Sequence, residues 1–356
     1  MNDAKPVLME GNHATAEGAI AGGCRFFFGY PITPQSQIPE YMSWRLPQVG
    51  GTYLQAESEV AAINMVYGAA AAGARVMTTS SSPGISLMSE GLSYLIGAEL
   101  PCVVVNMVRG GPGLGNIAAS QADYWLATRG GGHGDGVPLV FAPYSVQELH
   151  DMTAEAFAIA ERYRNPVMIL GDAVLATMME PCRLRPVEDA PLCRQFDWSL
   201  GGGLQGRERH IINSLYSRIQ DLEALNLRIA ARYAEAHRRE TRWEETGHEE
   251  PDILLCAYGI SARVCETAVE RGLHRGLKLR LLRPISLFPF PSAPIAALAE
   301  RVKHCLVVEL SLGQFVEDVR LAVEGRCPVS LLGRAGGVLI TPEDVLARVE
   351  EIARTL

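Results

Sequence analysis

An α/β fold, with parallel sheets covered by helices on both faces, is predicted by two stretches in which short apolar runs alternate with helix-like segments. The first stretch runs to about residue 175, and the second begins at residue 252. A third observation separates the two stretches. The residues between them do not alternate in this way and include a long charged segment. The predicted division is a first domain at 1–178, a linker at 179–250 and a smaller α/β domain at 251–356.

Turn and capping residues delimit the elements of the first domain. Asn12 can cap the first helix, and Ser82 followed by Pro83 gives a cap with proline at the first helical position. Pro31 and Pro34 end the first strand. The predicted strands are 24–29, 53–55, 75–80, 102–108, 139–142 and 167–170, and the predicted helices are 12–22, 35–42, 58–72, 82–99 and 146–163.

Prolines 181, 186 and 191 predict an extended crossing, and residues 207–245 predict a long charged helix. Its apolar residues fall at heptad spacing, with Asn226 as a polar member of the seam. The favoured interpretation is a connector lying on its own domains, and the alternative is a strut against a partner subunit. The heptad residues are Ile212, Leu215, Ile219, Leu222, Ile229 and Tyr233. For the second domain the predicted strands are 253–258, 277–282, 305–309 and 329–332, and a last helix begins after residues 341–343.

Composition excludes several classes of protein. The 356 residues are 48% hydrophobic and 20% charged, which is typical of a globular chain with a large core. A net charge of −8 argues against a nucleic-acid binder, and no apolar run is long enough to span a membrane. The start does not resemble a signal peptide, so a cytoplasmic location is expected. The eight cysteines form no Cys-x-x-Cys, so neither a metal site nor an iron–sulfur cluster is expected in this chain.

Three side chains are candidates for one site at the carboxyl edge of the first sheet, where open α/β sheets bind ligands. Glu59 is at the start of an apolar helix, where a carboxyl tends to stay protonated or to find a strong partner. The alternative is that its charge is only stabilised by the helix dipole, without a catalytic role. Thr33 lies in a stiff corner between two prolines, which is also typical of a plain turn. Arg109 ends an apolar strand and can bind a carboxylate through two parallel hydrogen bonds, or form a surface salt bridge.

Two glycine-rich segments imitate known motifs. Residues 113–118 match G-x-G-x-x-G/A, but the glycines begin several residues after the strand, so a dinucleotide site is disfavoured. Gly134-Asp135-Gly136, with Asn165 downstream, imitates the metal and diphosphate motif of thiamine diphosphate enzymes. It is rejected as a metal site because the aspartate does not follow an apolar strand. His133, just before it, is a possible substrate contact, although a loop histidine without a partner is more often structural.

The combined motifs resemble the α subunit of a 2-oxoacid:ferredoxin oxidoreductase, through nearly the whole chain. The segments that carry the resemblance are Gly29-Tyr-Pro-Ile-Thr-Pro34, Glu57-Ser-Glu59-Val-Ala-Ala62 with Gly68, Arg109-Gly-Gly-Pro-Gly-Leu-Gly115 and Gly131-Gly-His133-Gly-Asp135. The loop after Arg109 is more similar to the 3-methyl-2-oxobutanoate type than to the 2-oxoglutarate type. The resemblance implies a pyrimidine-binding domain for thiamine diphosphate, doubly wound around a parallel sheet, and a transketolase-C-terminal-like domain.

The resemblance also implies roles for the site residues. Glu59 would hydrogen-bond the pyrimidine nitrogen N1′, next to Pro31 and Ile32, while Thr33 and Arg109 would hold the substrate carboxylate. Gly110, Gly111 and His133 are possible further contacts.

Cofactors and partners are implied in the same way. A separate β subunit would bind the diphosphate, Mg²⁺ and a 4Fe–4S cluster, and some members add a γ subunit and a ferredoxin-like δ subunit. Coenzyme A would be the cosubstrate and ferredoxin the electron acceptor.

Four alternatives stay open at this point. One keeps the reaction but takes 2-oxoglutarate as substrate. A non-redox thiamine decarboxylase or transketolase-like protein would release product without reducing a viologen dye. A non-catalytic assembly subunit would not need Thr33, Glu59 or Arg109. A dehydrogenase using residues 113–118 would bind NAD(H).

Overall fold

A computed structural model describes residues 5–187, 189–200 and 209–356. Within them, no helix is both long and apolar enough to cross a membrane. Helices and strands alternate along most of the described chain. The elements in chain order are β1 (Val7–Glu10), α1 (Gly11–Ala21), β2 (Phe26–Gly29), α2 (Gln37–Gln48), β3 (Thr52–Gln55), α3 (Glu59–Ala71), β4 (Val76–Ser80), α4 (Ser82–Gly97), β5 (Val103–Val108), α5 (Tyr124–Thr128), β6 (Leu139–Phe141), α6 (Val146–Tyr163), β7 (Val167–Asp172), α7 (Ala173–Thr177), β8 (Met179–Cys182), α8 (Ile219–Arg239), β9 (Trp243–Gly247), β10 (Ile253–Cys256), α9 (Gly259–His274), β11 (Leu279–Pro284), β12 (Ser286–Phe288), α10 (Ser292–Ala299), β13 (His304–Glu309), α11 (Phe315–Val323), β14 (Val329–Gly333) and α12 (Pro342–Ala353).

Most of these strands belong to two parallel sheets, as expected. The first has the order β12-β6-β7-β5-β4-β2-β3, and only β12 runs antiparallel to its neighbour. The second has the order β14-β13-β10-β11-β9, with β9 antiparallel. Separate apolar clusters cover the two faces of the first sheet, because its central strands are buried throughout. The doubly wound α/β fold and the smaller second α/β unit are therefore confirmed, whereas the boundaries at 178 and 250 stay predictions.

Strand β12 follows β10 and β11 of the second unit in the sequence, yet it pairs with β6 of the first sheet. One apolar cluster also continues from the first sheet into the second unit. Buried Arg283 donates to both oxygens of Glu148 at 2.9 and 2.8 Å and to Glu244 at 2.6 Å. Gln121 donates to the Tyr258 carbonyl at 2.9 Å. These contacts fix helix α6 and Gln121 against the second unit.

The long helix predicted over 207–245 was wrong in extent. Helix α8 covers only Ile219–Arg239, residues 207–208 lie outside the described part, and Trp243–Gly247 forms the edge strand β9. Glu244 and Glu245 of this polar strand pair with arginines of β11, which explains how a charged segment joins a sheet. The spacing of hydrophobic residues in the sequence does not distinguish this edge strand from the end of a helix.

Helix α8 lies on the first unit, as the favoured interpretation expected. Tyr233 donates to the Val137 carbonyl at 2.7 Å, and Arg232 pairs with Glu99 at 2.6 Å. The predicted heptad seam is only partly buried, because Leu215 is 79% and Ile219 84% exposed. The buried apolar residues of the helix are Leu225, Ile229 and Ala236.

A testable pH effect arises at the end of β7. Asp172 is buried, and its Oδ1 accepts from the backbone N–H of Val174 at 2.8 Å and of Leu175 at 3.1 Å. Burial raises the pKa of Asp172 to about 6, against a reference near 3.9. The folded chain therefore binds more protons than the unfolded chain between these values, so stability falls as pH rises from about 4 to about 6.

Asp172→Asn keeps the acceptor oxygen and removes this titration. We expect its thermal unfolding midpoint to fall less than that of the native chain as pH rises from about 4 to about 6. Asp135→Asn, at an exposed aspartate, is the control and should follow the native curve. An unchanged pH slope in Asp172→Asn would show that Asp172 titrates in its ordinary range.

Candidate active site

Four neighbouring strands of the first sheet, β3, β2, β4 and β5, end at one edge, and each is followed by a segment that contributes to the site. Residues 30–34 follow β2, Glu59 opens the helix after β3, residues 81–84 follow β4, and Arg109 follows β5. Because these strands are parallel, all four segments lie at the carboxyl edge.

Three buried side chains hold the turn at residues 30–34 by its backbone carbonyls. Thr33, between the two prolines, is exposed at the surface of this turn. Fixing the carbonyls restrains the backbone, so the exposed threonine is held in place without using its own hydroxyl. The donors are Gln35 Nε2 to Tyr30 at 3.1 Å, Arg109 Nη1 to Thr33 at 2.9 Å and Asn12 Nδ2 to Pro34 at 2.9 Å.

Arg109 is 9% exposed and binds backbone rather than a carboxylate in the described chain. Besides the Thr33 carbonyl, its guanidinium donates to the Leu114 carbonyl at 3.0 Å. Its Nε has no partner among the described residues, and each Nη retains a second hydrogen. The alternative of a surface salt bridge at Arg109 is therefore wrong, and the side chain keeps donors for a ligand.

Glu59 is 6% exposed and is the first residue of α3, which Ser58 caps by accepting from the Ala61 N–H. The helix N-terminus favours a carboxylate there. Among the described residues, however, the Glu59 carboxyl has no hydrogen-bond or ion-pair partner. It lies against Gly84, where a Cβ would be 2.5 Å from Glu59 Oε1. A buried carboxyl without a partner is costly, so this position suits a ligand that brings one.

A continuous series of contacts joins the three candidates. Glu59 contacts Gly84 in the first turn of α4, and Ser82 in the same turn bonds the Arg109 backbone. The Ser82 hydroxyl accepts from the Arg109 N–H at 3.1 Å and donates to its carbonyl at 3.3 Å. Arg109 in turn holds the Thr33 carbonyl. The structure thus brings Thr33, Glu59 and Arg109 to one edge.

His133 lies elsewhere. Its loop precedes β6 and therefore lies at the amino edge of the sheet, where the Ser93 hydroxyl donates to the His133 carbonyl at 3.0 Å. Ser93 is nine residues beyond Gly84 along α4, which corresponds to about 14 Å along the helix axis. His133 and Asp135 line a cavity of about 230 Å³ against α8 instead.

The glycine loop after Arg109 closes on itself. The Gly110 N–H donates to the Ala118 carbonyl and the Asn116 N–H to the Gly110 carbonyl, both at 2.9 Å. Gly115 has φ +56°, and a Cβ there would lie 1.6 Å from the Gly110 oxygen, so only glycine fits. No helix follows directly, because α5 begins at Tyr124. This geometry differs from the strand–turn–helix that a dinucleotide motif requires.

A pocket of about 490 Å³ adjoins this edge, between the start of α4 and the second unit. Asp123 lines it and accepts from Asn106 Nδ2 at 2.9 Å, and burial raises the pKa of Asp123. Sequence reasoning missed Asp123, Asn12 and Gln35. For Asn106 a signal existed, since it is the polar residue in an apolar strand.

Comparisons with known proteins agree with this architecture. Residues 17–199 match the family model described as pyruvate flavodoxin/ferredoxin oxidoreductase, thiamine diphosphate-binding. Residues 251–345 match the model of pyruvate:ferredoxin oxidoreductase core domain II.

Two curated relatives and one solved structure resemble nearly the whole chain. It is 49% identical to the ketoisovalerate oxidoreductase subunit VorB of Methanothermobacter marburgensis, over 97% of both chains. It is 35% identical to the 2-oxoglutarate synthase subunit KorA of Methanothermobacter thermautotrophicus, over 98% of this chain and 99% of the relative. The 2-oxoglutarate:ferredoxin oxidoreductase from Magnetococcus marinus, solved with 2-oxoglutarate, coenzyme A and succinyl-CoA bound, superimposes with a TM-score of 0.89 at 30% identity. The match covers 99% of this chain and 66% of that one.

Proposed function

This chain belongs to the 2-oxoacid:ferredoxin oxidoreductases, and from that premise we propose that its carboxyl-edge residues form the pyrimidine side of a thiamine diphosphate site. It is an oxidoreductase subunit of a family that acts with partner subunits. The observation that carries the proposal is the buried Glu59 carboxyl, which lacks a partner in the described chain and faces the bare backbone of Gly84. An aminopyrimidine ring presents a nitrogen that can share a proton with such a carboxyl.

The proposed roles combine the family resemblance with the contacts of the described residues. Glu59 holds a proton against ring nitrogen N1′, while Pro31 and Ile32 of the restrained turn contact the ring. When bound, thiamine diphosphate supplies the nucleophilic carbon and the electron sink that decarboxylation of a 2-oxoacid requires. Thr33 and the remaining donors of Arg109 hold the substrate carboxylate, which positions the keto carbon. Gly111 offers backbone to the neighbouring pocket, since a Cβ there would meet no atom within 4 Å, whereas both backbone groups of Gly110 are already bonded within the loop.

A branched-chain 2-oxoacid such as 3-methyl-2-oxobutanoate is the proposed substrate. The relative named for ketoisovalerate is 49% identical, against 35% for the 2-oxoglutarate relative. The 490 Å³ pocket adjoins the site without being lined by Thr33, Glu59 or Arg109. Its described lining contains hydroxyls, glycines and Asp123 but no lysine or arginine. A second substrate carboxylate would need such a cation, so 2-oxoglutarate is the second candidate.

Partners complete the proposed enzyme. A β subunit binds the diphosphate, Mg²⁺ and a 4Fe–4S cluster, and γ and ferredoxin-like δ subunits join in some assemblies. Coenzyme A takes the acyl group, which the coenzyme A bound in the Magnetococcus marinus structure supports. Ferredoxin takes the electrons.

The test is to purify the chain with its bound partners and assay thiamine diphosphate, iron and coenzyme A-dependent viologen reduction. We expect 3-methyl-2-oxobutanoate to give a higher kcat/KM than 2-oxoglutarate or pyruvate. Acyl release without viologen reduction would favour the non-redox alternative. Full activity without this chain would favour an assembly role, and tight NAD(H) binding would favour a dehydrogenase.

A further inference from the structure

Ser80, the last residue of β4, presents a second buried oxygen beside Glu59. Its hydroxyl is fully buried and has no hydrogen-bond partner among the described residues. A Cβ at Gly84 would lie 2.0 Å from Ser80 Oγ and 2.5 Å from Glu59 Oε1. Both oxygens therefore border the same small space, which exists only because residue 84 has no side chain.

The two groups are chemically complementary. A serine hydroxyl has one hydrogen to donate, and a carboxyl oxygen accepts. The Ser80 hydroxyl is fully buried without a described partner, and buried polar groups in folded proteins are nearly always paired. Glu59, at 6% exposure, has no described partner either. A small rotation of the Glu59 side chain would bring its oxygen within reach of the hydroxyl, and Gly84 leaves the path open.

We propose that Ser80 is a positioning residue that donates a hydrogen bond to the Glu59 carboxyl once the aminopyrimidine is bound. This inference rests on the proposed function. The bond occupies one carboxyl oxygen, so the other is directed at ring nitrogen N1′. Ser80 contacts neither substrate nor ring, and it acts through the orientation of Glu59. The bare α-carbon of Gly84 keeps the space in which the bond forms.

The test compares Ser80→Ala with the native chain, each purified with its partner subunits. Without substrate, circular dichroism reports the tautomer ratio of the bound cofactor's aminopyrimidine ring, and we expect the imino share to fall severalfold in the variant. We expect kcat to fall about 10- to 100-fold, the effect of one hydrogen bond to a charged group. KM for the 2-oxoacid should stay unchanged, because Thr33 and Arg109 are untouched.

Thr78→Val is the matched control, because the Thr78 hydroxyl is equally buried and unpartnered among described residues but lies in the middle of β4, two residues before Ser80. It should match the native complex in both readouts. Gly84→Ala tests the same contact with the hydroxyl intact, because its Cβ fills the shared space. It should reduce the imino share and kcat, although its Cβ also displaces Glu59 directly. Ser80→Cys, which keeps a side chain but weakens the donor, decides the question if Ser80→Ala does not assemble.

Native values in Ser80→Ala, or in Gly84→Ala, would overturn the inference and leave the proposed function standing. Equal losses in Ser80→Ala and Thr78→Val would also overturn it, because they would indicate a general packing effect. A native complex that binds no thiamine diphosphate would overturn both proposals together.

Discussion

Glu59→Gln is expected to lower kcat by roughly 10²- to 10⁴-fold, the contribution typical of a positioned general acid or base. Glutamine has nearly the same shape, but its amide cannot hold and release a carboxyl proton. Steady-state turnover with the preferred 2-oxoacid measures the loss, and circular dichroism of the bound cofactor measures its cause. Assembly should be unaffected, because no described contact of the native chain depends on the Glu59 charge.

Glu57→Gln provides the control for this change. Glu57 lies two residues earlier on the same approach to α3, but it is exposed. We expect turnover like that of the native complex. If Glu59→Gln retained the native rate, or if both variants lost activity equally, Glu59 would have no special role in proton transfer.

Arg109→Lys should lower kcat/KM about 100-fold, the penalty for displacing a reacting group by about 1 Å. The guanidinium reaches the Thr33 and Leu114 carbonyls at once, at 2.9 and 3.0 Å. A lysine ammonium is a compact donor without a planar fork, so it cannot hold both carbonyls and a substrate carboxylate. The turn that carries Thr33 and the glycine loop should both loosen. Kinetics with the preferred 2-oxoacid measure the effect, and far-ultraviolet circular dichroism checks folding.

Arg164→Lys is the matched control for Arg109→Lys. Arg164 also donates to a backbone carbonyl, that of Glu99 at 3.0 Å, but Glu99 precedes β5 and lies at the amino edge. Its kcat/KM should stay near the native value. Unimpaired turnover in Arg109→Lys would remove Arg109 from the substrate site.

Local sequence patterns predicted the parts of the fold that depend on near neighbours in the chain. Helix α6 has the predicted bounds, because Ser145 caps it through the Glu148 N–H and apolar residues recur along one face. The meeting of Thr33 and Arg109 was also predictable, since both follow parallel strands. His133 could not be placed the same way, because its loop precedes a strand and faces the other edge.

Contacts between residues far apart in the chain could not be predicted from local sequence patterns. Asn12 was expected to cap a helix, but it lies inside the first turn of α1 and donates to the Pro34 carbonyl, 22 positions away. Ser80 and Gly84 carry no motif, and their significance appears only when β4 and α4 are set beside Glu59. Strand β9 was missed because its glutamates are paired with arginines of the neighbouring strand β11, and the local sequence does not reveal that pairing.

Strand β12 has a consequence for how the enzyme can open. It follows the second unit's first strands in sequence and forms one edge of the first sheet. The two units therefore cannot separate without breaking the main-chain hydrogen bonds between β12 and β6. Substrate entry and product release must then depend on movement of the glycine loop or of neighbouring subunits, rather than on a hinge within this polypeptide. A fragment ending near residue 250 would leave the outer edge of β6 unpaired, and such an exposed edge invites self-association.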